Sequence, residues 1–212
     1  KGAMEVLFGM GIRRVSPADF LAERFNEPVF TQLNTRDYNR RVNGGGFDRD
    51  EFYDDPENYE SSFLPFAQKA DILIAGAFWD PKAPVLFTKE NASQQDFNIR
   101  VIADITCDIE GSIPSTKQPS TIEDPCYDYN PSNDRVEPPF VDEGNLTVMA
   151  VDNLPCELPR NASEDFGKEF VKSILPNLIG EDKDAVLERA TITKDGELTK
   201  HYHYLQDFVH GH

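Results

Sequence analysis

Three stretches of the chain are apolar without alternation: residues 70–77, built on Ile72-Leu73-Ile74-Ala75, residues 99–105, and residues 146–151. An unbroken run of this length predicts a strand buried on both faces, as in a parallel sheet. Shorter strands are predicted at residues 12–16, stopped by Pro17, and at residues 28–33. Helical spacing appears first at residues 1–10, where Met4, Leu7 and Phe8 share a face and Gly9 and Gly11 end the run. A short helix is predicted over 61–69. The longest helix is predicted over 160–178, capped by Asn161 or Ser163, with Phe166, Phe170, Val171 and Ile174 along one side. Residues 181–189 follow as a helix, 191–199 as a hairpin turning on Lys194-Asp195-Gly196, and 201–209 as a last amphipathic turn or two. Residues 34–60 are polar, acidic and aromatic around Gly44-Gly45-Gly46 and predict a long surface excursion. No internal repeat is visible.

Strands alternating with helices predict an α/β protein with a Rossmann-like, doubly wound and mainly parallel sheet. Such sheets bind ligands at the carboxyl ends of their strands. That rule selects residues 75–81, 104–116 and 151–160 as the places to look for chemistry.

Composition narrows the possible partners. Lys and Arg number 21 against 38 Asp and Glu, a formal charge of −17 over 212 residues. So acidic a chain repels a phosphate backbone, and its basic residues are not clustered, so no nucleic-acid partner is expected. No apolar run approaches the roughly 20 residues of a membrane-spanning helix, so no membrane partner is expected either. Cys107, Cys126 and Cys156 are odd in number and lack metal-site spacing. They fit a reducing compartment, expected to be cytoplasmic. The chain opens inside a helix without an initiator Met, which predicts a piece of a longer polypeptide. The terminal His210-Gly211-His212 carries no assigned role.

Several motifs reduce to bland readings. Gly44-Gly45-Gly46 lacks the Gly-Lys-Ser/Thr of a phosphate loop. Asp165-Phe166-Gly167 has none of the other kinase signatures. The three Asn-x-Ser/Thr sites, at Asn91, Asn145 and Asn161, are read as chance matches. His201 and His203 are two apart, which suits neither one helix face nor zinc. The acidic stretches at 48–60 and 134–143 lack calcium-loop spacing, and no metal site is expected.

Two stretches stand above this background. Asp104-Ile105-Thr106-Cys107-Asp108-Ile109-Glu110-Gly111-Ser112-Ile113 follows one buried strand. Val151-Asp152-Asn153-Leu154-Pro155-Cys156-Glu157-Leu158-Pro159-Arg160 joins another to the long helix. By composition each is an ordinary strand-to-helix loop. By position each places carboxylates where such a sheet meets its ligand. Asp104 and Asp108 can bond an amine or a ribose, Asp152 and Asn153 a ribose or nicotinamide, and Leu154-Pro155 can supply an apolar wall.

At these residues, together with Thr121-Ile-Glu-Asp-Pro-Cys-Tyr, Ile192-Thr-Lys-Asp-Gly-Glu-Leu-Thr and Tyr204-Leu-Gln-Asp, the chain resembles the lysine–2-oxoglutarate reductase/saccharopine dehydrogenase family, itself related to alanine dehydrogenase and the transhydrogenase nucleotide domain. The likeness is clear over about residues 70–209. Over 1–69 it rests on the opening helix, Val15-Ser16-Pro17-Ala18-Asp19-Phe20 and Pro28-Val-Phe-Thr-Gln-Leu.

The resemblance implies two Rossmann-type lobes with the active site in the cleft between them, and matches this chain to the nucleotide-holding lobe. Residues 1–180 would form that lobe, without its first strand and Gly-rich turn. Residues 181–212 would form a C-terminal hairpin and helix packing toward an N-terminal lobe of the same protein. That lobe would carry the acid–base residues, so none is assigned here, and the chain alone would be inactive. The implied reaction joins the ε-amine of lysine to the ketone of 2-oxoglutarate and reduces the imine with NADH or NADPH to saccharopine, or reverses it. By position Phe78, Ile105, Val151, Asp152, Asn153 and Leu154 match residues at the nucleotide, and Thr106, Cys107 and Asp108 match residues at the amino-acid or keto-acid substrate. Ser16, with Arg13 and Arg14 beside it, ends the strand whose tip normally meets the adenosine ribose; this favours NADP, while Asp19 leaves NAD open. An alanine-dehydrogenase-like or opine-type enzyme on the same fold, and a non-catalytic binding module, remain as alternatives.

Overall fold

The computed structural model describes residues 2–211, so Lys1 of the opening helix and His212 of the terminal His-Gly-His lie outside the described residues. The chain forms two compact units, one ending at Asp152 and one starting at Asn153. The 180/181 junction drawn from sequence lies within the second unit.

In the first unit, α1 (Gly2–Gly9) leads through Gly11, at φ +75°, into β1 (Arg13–Val15). Next come α2 (Pro17–Ala22) and β2 (Val29–Thr31), which lies parallel to β1 with Val15 opposite Thr31. Pro17 supplies the fixed φ of a first helical turn, and Ser16 caps α2 by accepting from the Asp19 amide at 3.1 Å.

Residues 34–60 carry short helices within the excursion, and two strands besides. They hold α3 (Thr35–Tyr38), β3 (Asn39–Arg41) and α4 (Arg49–Asp54), and end on β4 (Tyr59–Ser61), antiparallel to β3. Aromatic residues give the segment a small core of its own. The Phe47, Phe52 and Tyr59 rings meet with centroids 5.2–5.4 Å apart, and Arg41 pairs with Glu51 beneath them.

After α5 (Leu64–Ala67), the main sheet is built from β5 (Ile72–Ala75), β6 (Val101–Asp104), β7 (Tyr127–Asn130), β8 (Arg135–Glu137) and β9 (Leu146–Met149), with α6 (Lys89–Ala92) between β5 and β6. The strand order is β5-β6-β9-β7-β8. β5, β6 and β9 are mutually parallel, whereas the β7–β8 hairpin joins β9 antiparallel. This is the α/β, Rossmann-like class, with an antiparallel margin on a parallel sheet.

The strands are not buried on both faces. In β6, Ile102 and Asp104 are buried while Val101 is 39% exposed, and in the edge strand β5 Ile72 is 61% exposed. One face packs on a core that includes Phe66, Phe87, Phe97, Ile99, Ile102, Ile113, Tyr129, Leu146 and Val148. The other face of β5 and β6 presents aliphatic side chains to solvent. Periodicity alone could not separate one covered face from two, because both faces are apolar.

The second unit contains α7 (Pro159–Glu169), a π-helical turn over Phe170–Ile174, α8 (Leu175–Ile179), α9 (Val186–Ala190), the hairpin β10 (Thr193–Lys194) and β11 (Glu197–Leu198), and α10 (Gln206–Val209). The predicted long helix is present but broken in register. Pro176 has no N–H to continue the α ladder, and the wider π turn lies just before it. Neither Asn161 nor Ser163 caps α7. Its first turn is set by Pro159 after Leu158, without a side-chain cap. The hairpin turns on Asp195 and Gly196, both at positive φ, as a tight two-residue turn requires. No described residue of this unit is buried.

Candidate functional site

Because β5, β6 and β9 run in one direction, their last residues lie along one edge of the sheet. Ala75 is level with Asp104, and Ala103 with Met149. The Ile105 amide donates to the Ala75 carbonyl at 2.8 Å, which carries the pairing one residue past β6. The loop leaving this edge is tied down at its base by hydrogen bonds.

Asp104 governs its base. The side chain is 1% exposed and accepts from the Thr106 hydroxyl at 2.5 Å, the Thr116 hydroxyl at 2.6 Å, and the Thr106 and Cys107 amides at 3.1 and 3.3 Å. These four donors come from this chain, and no side-chain surface is left to meet a ligand. The expectation that Asp104 bonds an amine or ribose is therefore replaced by an internal role. Its carboxylate fastens residues 106–107 to residue 116, so that both ends of the loop leave from one point.

The rest of the loop is held in turn. The Glu110 amide donates to the Thr116 carbonyl at 2.8 Å, and the Leu86 amide to the Ser112 carbonyl at 2.9 Å. Ile113 is fully buried, and the Tyr127 hydroxyl donates to the Ser115 carbonyl at 3.0 Å. Cys107 and Glu110 adopt φ of +53° and +50°. Left-handed conformations at residues other than glycine cost energy and persist only where the surroundings enforce them. Gly111 is required outright, since a Cβ there would lie 2.6 Å from the Asp108 Cβ.

The predicted substrate residues fall together on this loop. Thr106 and Cys107 are half-buried and Asp108 is exposed. The Cys107 thiol donates to the Ala150 carbonyl at 3.1 Å, tying the loop to the end of β9. Burial pushes this thiol up from its ordinary pKa, and the carboxylates of Asp152, Asp104 and Asp108 push the same way. Cys107 is thus a protonated, poorly nucleophilic thiol. The Cys107–Ala150 bond joins this loop to the end of β9, one residue before Val151 and two before Asp152.

The predicted nucleotide residues are less uniform. Ile105 is 43% exposed and Phe78, three residues past β5, is 89% exposed; both are open to a ligand. Val151 is 3% exposed and bridges to Ser120, so any contact it makes must come through its backbone. Asp152 is exposed. Asn153, at φ +55°, and Leu154 open the second unit, where Asn153 precedes a 3-10 turn over Leu154–Cys156.

Ser16 lies elsewhere, at the ends of β1 and β2. There Arg14, Val15, Ser16, Pro17, Gln32, Asn34, Arg36 and Asp37 line an open cavity of about 440 Å³. The Ser16 hydroxyl is engaged with Asp19 at 2.7 Å. The Asp37 carboxylate accepts from the Asn34 amide at 2.7 Å, which holds the start of α3 against the cavity. Arg14 and Arg36 line this cavity together with Asp37, and neither arginine is ion-paired among the described residues. A dinucleotide presents phosphates and ribose hydroxyls, and this donor set fits that chemistry. Arg36 went unnoticed in the sequence, although the Asn34-x-x-Asp37 capping box marks a helix start directly after the second strand and could have located it.

Also missed was a charge cluster beside the loop. Lys117 bonds Glu110 at 2.5 Å and Asp134 at 2.8 Å, Lys89 bonds Asp134 at 2.6 Å, and the Tyr129 hydroxyl donates to Asp134 at 3.0 Å. No sequence signal joins residues 89, 110, 117, 129 and 134. Among the described residues, no cluster of three or more His, Cys, Asp or Glu could hold a metal ion, and no helix is long and apolar enough to cross a membrane.

No protein-family profile matches the chain. In sequence it is similar to the alpha-aminoadipic semialdehyde synthase of Arabidopsis thaliana, with 33% identity over 166 residues covering 75% of this chain and 16% of the relative. It is similar to the mitochondrial alpha-aminoadipic semialdehyde synthase of Mus musculus, with 27% identity over 236 aligned residues covering 97% of this chain and 25% of the relative. It is also similar to the NAD(+)-dependent, L-lysine-forming saccharopine dehydrogenase of Schizosaccharomyces pombe, with 28% identity over 119 residues covering 52% and 29% of the two chains. The matched region is less than a third of the length of each relative.

Proposed function

We propose a function for this chain as a homologue of the lysine–2-oxoglutarate reductase/saccharopine dehydrogenase family: it is the nucleotide-holding part of an NAD(P)-dependent oxidoreductase that forms or cleaves saccharopine. The observation that carries this reading is the edge formed by β5, β6 and β9, where a braced loop presents Ile105, Thr106, Cys107 and Asp108 and is bonded through Cys107 to Ala150, two residues before Asp152.

When bound, the nicotinamide supplies a hydride to the imine carbon joining lysine nitrogen to 2-oxoglutarate. The chain's own residues bind and orient. Ile105 offers an apolar surface to the nucleotide, Val151 its backbone, Asp152 a carboxylate for hydroxyl groups, and Phe78 a ring for the adenine. The same nucleotide role is proposed for Asn153 and Leu154 in the second unit. On the substrate side, the Thr106 hydroxyl is committed to Asp104 and the Cys107 thiol to the Ala150 carbonyl, so both are proposed to shape the site while the exposed Asp108 carboxylate meets an amine. Fixed loops of this kind are what hydride transfer needs, since the reacting carbons must be held about 3–3.5 Å apart. No residue here is assigned the proton transfers. They belong to the N-terminal lobe proposed as partner, toward which residues 181–212 are proposed to pack. The exposed Ile179, Phe208 and Val209 support further packing of that unit.

The cofactor is proposed to be NADP. Arg14 and Arg36 at the β1–β2 cavity suit a ribose 2′-phosphate, which two guanidinium groups can grip with charge-assisted bonds. A cytoplasmic location is proposed from the three free cysteines, whereas the mouse relative carries the word mitochondrial in its name.

Calorimetry of a longer polypeptide that carries the proposed N-terminal lobe, with NADPH and NADH, tests the proposal. NADPH is expected to bind at least about tenfold tighter, a difference of about 1.4 kcal/mol, and Arg36→Ala to remove that preference. Equal affinities would overturn the NADP assignment. Binding of neither nucleotide would overturn the function and favour a non-catalytic module. Assaying a longer polypeptide with pyruvate plus ammonia against lysine plus 2-oxoglutarate separates the alanine-dehydrogenase-like alternative.

A further inference from the structure

The strand-end loop is held at its base by Asp104, but its tip is held from outside. Lys117 follows the loop, and its side chain is only 13% exposed. Its ammonium reaches Glu110 at the tip and Asp134 in the turn between β7 and β8, and lies 5.6 Å from the centre of the Tyr129 ring. Lys89, from α6, reaches Asp134 at 2.6 Å and stands 3.9 Å from Glu110. Three separate segments thus converge on one half-buried ammonium.

Both acids it joins are held at positive φ, Glu110 at +50° and Asp134 at +56°. Glu110 is four residues from Thr106 and three from Cys107 along the chain, and its amide closes the loop on Thr116. Without Lys117 the two carboxylates would face each other with Lys89 as their remaining cation, and repulsion would drive the tip outward.

We propose that Lys117 is a positioning residue, which braces the loop tip against the β7–β8 hairpin so that Thr106, Cys107 and Asp108 stay in the geometry the ligand side requires. This rests on the loop being the ligand-binding edge described under Proposed function. The hairpin then has a purpose beyond widening the sheet, as the fixed abutment of the brace.

The three cysteines report on it directly, because Cys107 sits in the loop while half-buried Cys126 and exposed Cys156 lie outside it. Maleimide labelling of the native chain, followed site by site by mass spectrometry, measures local opening. Lys117→Met is expected to speed labelling of Cys107 about tenfold while Cys126 and Cys156 keep their rates, and Lys117→Arg to restore the slow rate. Glu110→Gln, an exposed change with little risk to folding, is expected to speed Cys107 about threefold. NADPH should slow Cys107 labelling in the unaltered chain and do so less in Lys117→Met. An unchanged Cys107 rate in both Lys117→Met and Glu110→Gln overturns the brace, as does equal acceleration of all three cysteines in Glu110→Gln. If Lys117→Met frees Cys107 but neither NADPH nor lysine with 2-oxoglutarate protects it in a longer polypeptide carrying the proposed N-terminal lobe, the brace survives and the ligand-binding reading falls.

Discussion

Asp104 separates a structural carboxylate from a ligand-binding one. Replacing it with Ala strips four donors of their acceptor, two hydroxyls at 2.5 and 2.6 Å and two amides at 3.1 and 3.3 Å. A hydrogen bond to a charged group contributes about 1.5–3 kcal/mol, so the two hydroxyl bonds alone set a range of about 3–6 kcal/mol. The Thr106 and Cys107 amides are in half-buried residues that water can reach, and add less. Thr116 is fully buried and gains no water in exchange. We therefore expect Asp104→Ala to cost about 4 kcal/mol, among the larger effects of single substitutions. Asp104→Asn keeps the shape and one acceptor. It obliges one threonine hydroxyl to turn and accept from the new amide, at a cost of about 1–2 kcal/mol. The assay is urea unfolding of the chain followed by the fluorescence of Trp79, the single tryptophan, which lies in the same unit. A cost below about 1 kcal/mol for Asp104→Ala would refute the reasoning. So would a well-folded Asp104→Asn that loses nucleotide binding altogether, for then the carboxylate meets the ligand and not the loop.

Other substitutions act on the same loop and core. Gly111→Ala places a Cβ 2.6 Å from the Asp108 Cβ and 3.0 Å from its carbonyl oxygen; we expect a loss of about 2 kcal/mol and faster hydrogen exchange confined to residues 106–112, measured by mass spectrometry. Ile102→Ala, at a fully buried position of β6, should cost about 3–4 kcal/mol in urea unfolding, since no water or side chain can fill the space. The charge cluster sets two pH windows. Hydrogen bonds from Lys117 hold the carboxyls of Asp134 and Glu110 below the usual carboxylate range, so their contribution to stability is full above the unfolded pKa of about 4 and is lost as pH falls below it. Burial, with the hydrogen bond to Asp134, pushes the Tyr129 phenol up to about 12, so its contribution is present below pH of about 10 and lost as pH rises toward 12. Unfolding midpoints at pH 3, 7 and 11.5 should show both losses, and the Lys117→Met variant should flatten the acid one.

Local sequence determined the elements of this protein, and in places their ends. Val101-Ile102 begins a strand through its β-branched pair, Ser16-Pro17 starts a helix because one side chain caps and the next ring presets φ, and Asp195-Gly196 turns a hairpin because both residues tolerate positive φ. The edge where β5, β6 and β9 end was legible too, because parallel strands of one sheet end on the same side and their following loops leave there. The tertiary structure alone decided what each residue at that edge does. Asp104 and Asp108 look alike as sequence, yet the fold surrounds one with four donors and leaves the other exposed. Arg14 and Arg36 share a cavity because β1 pairs with β2, and Lys117 meets Glu110 and Asp134 because the β7–β8 hairpin returns beside β9. The covered face of β5 and β6 was likewise undecided, since both faces are aliphatic and only packing distinguishes them. Periodicity records the conformation of a few adjacent residues. The chemistry of a side chain depends on neighbours tens of residues away, and strand order brings those neighbours in.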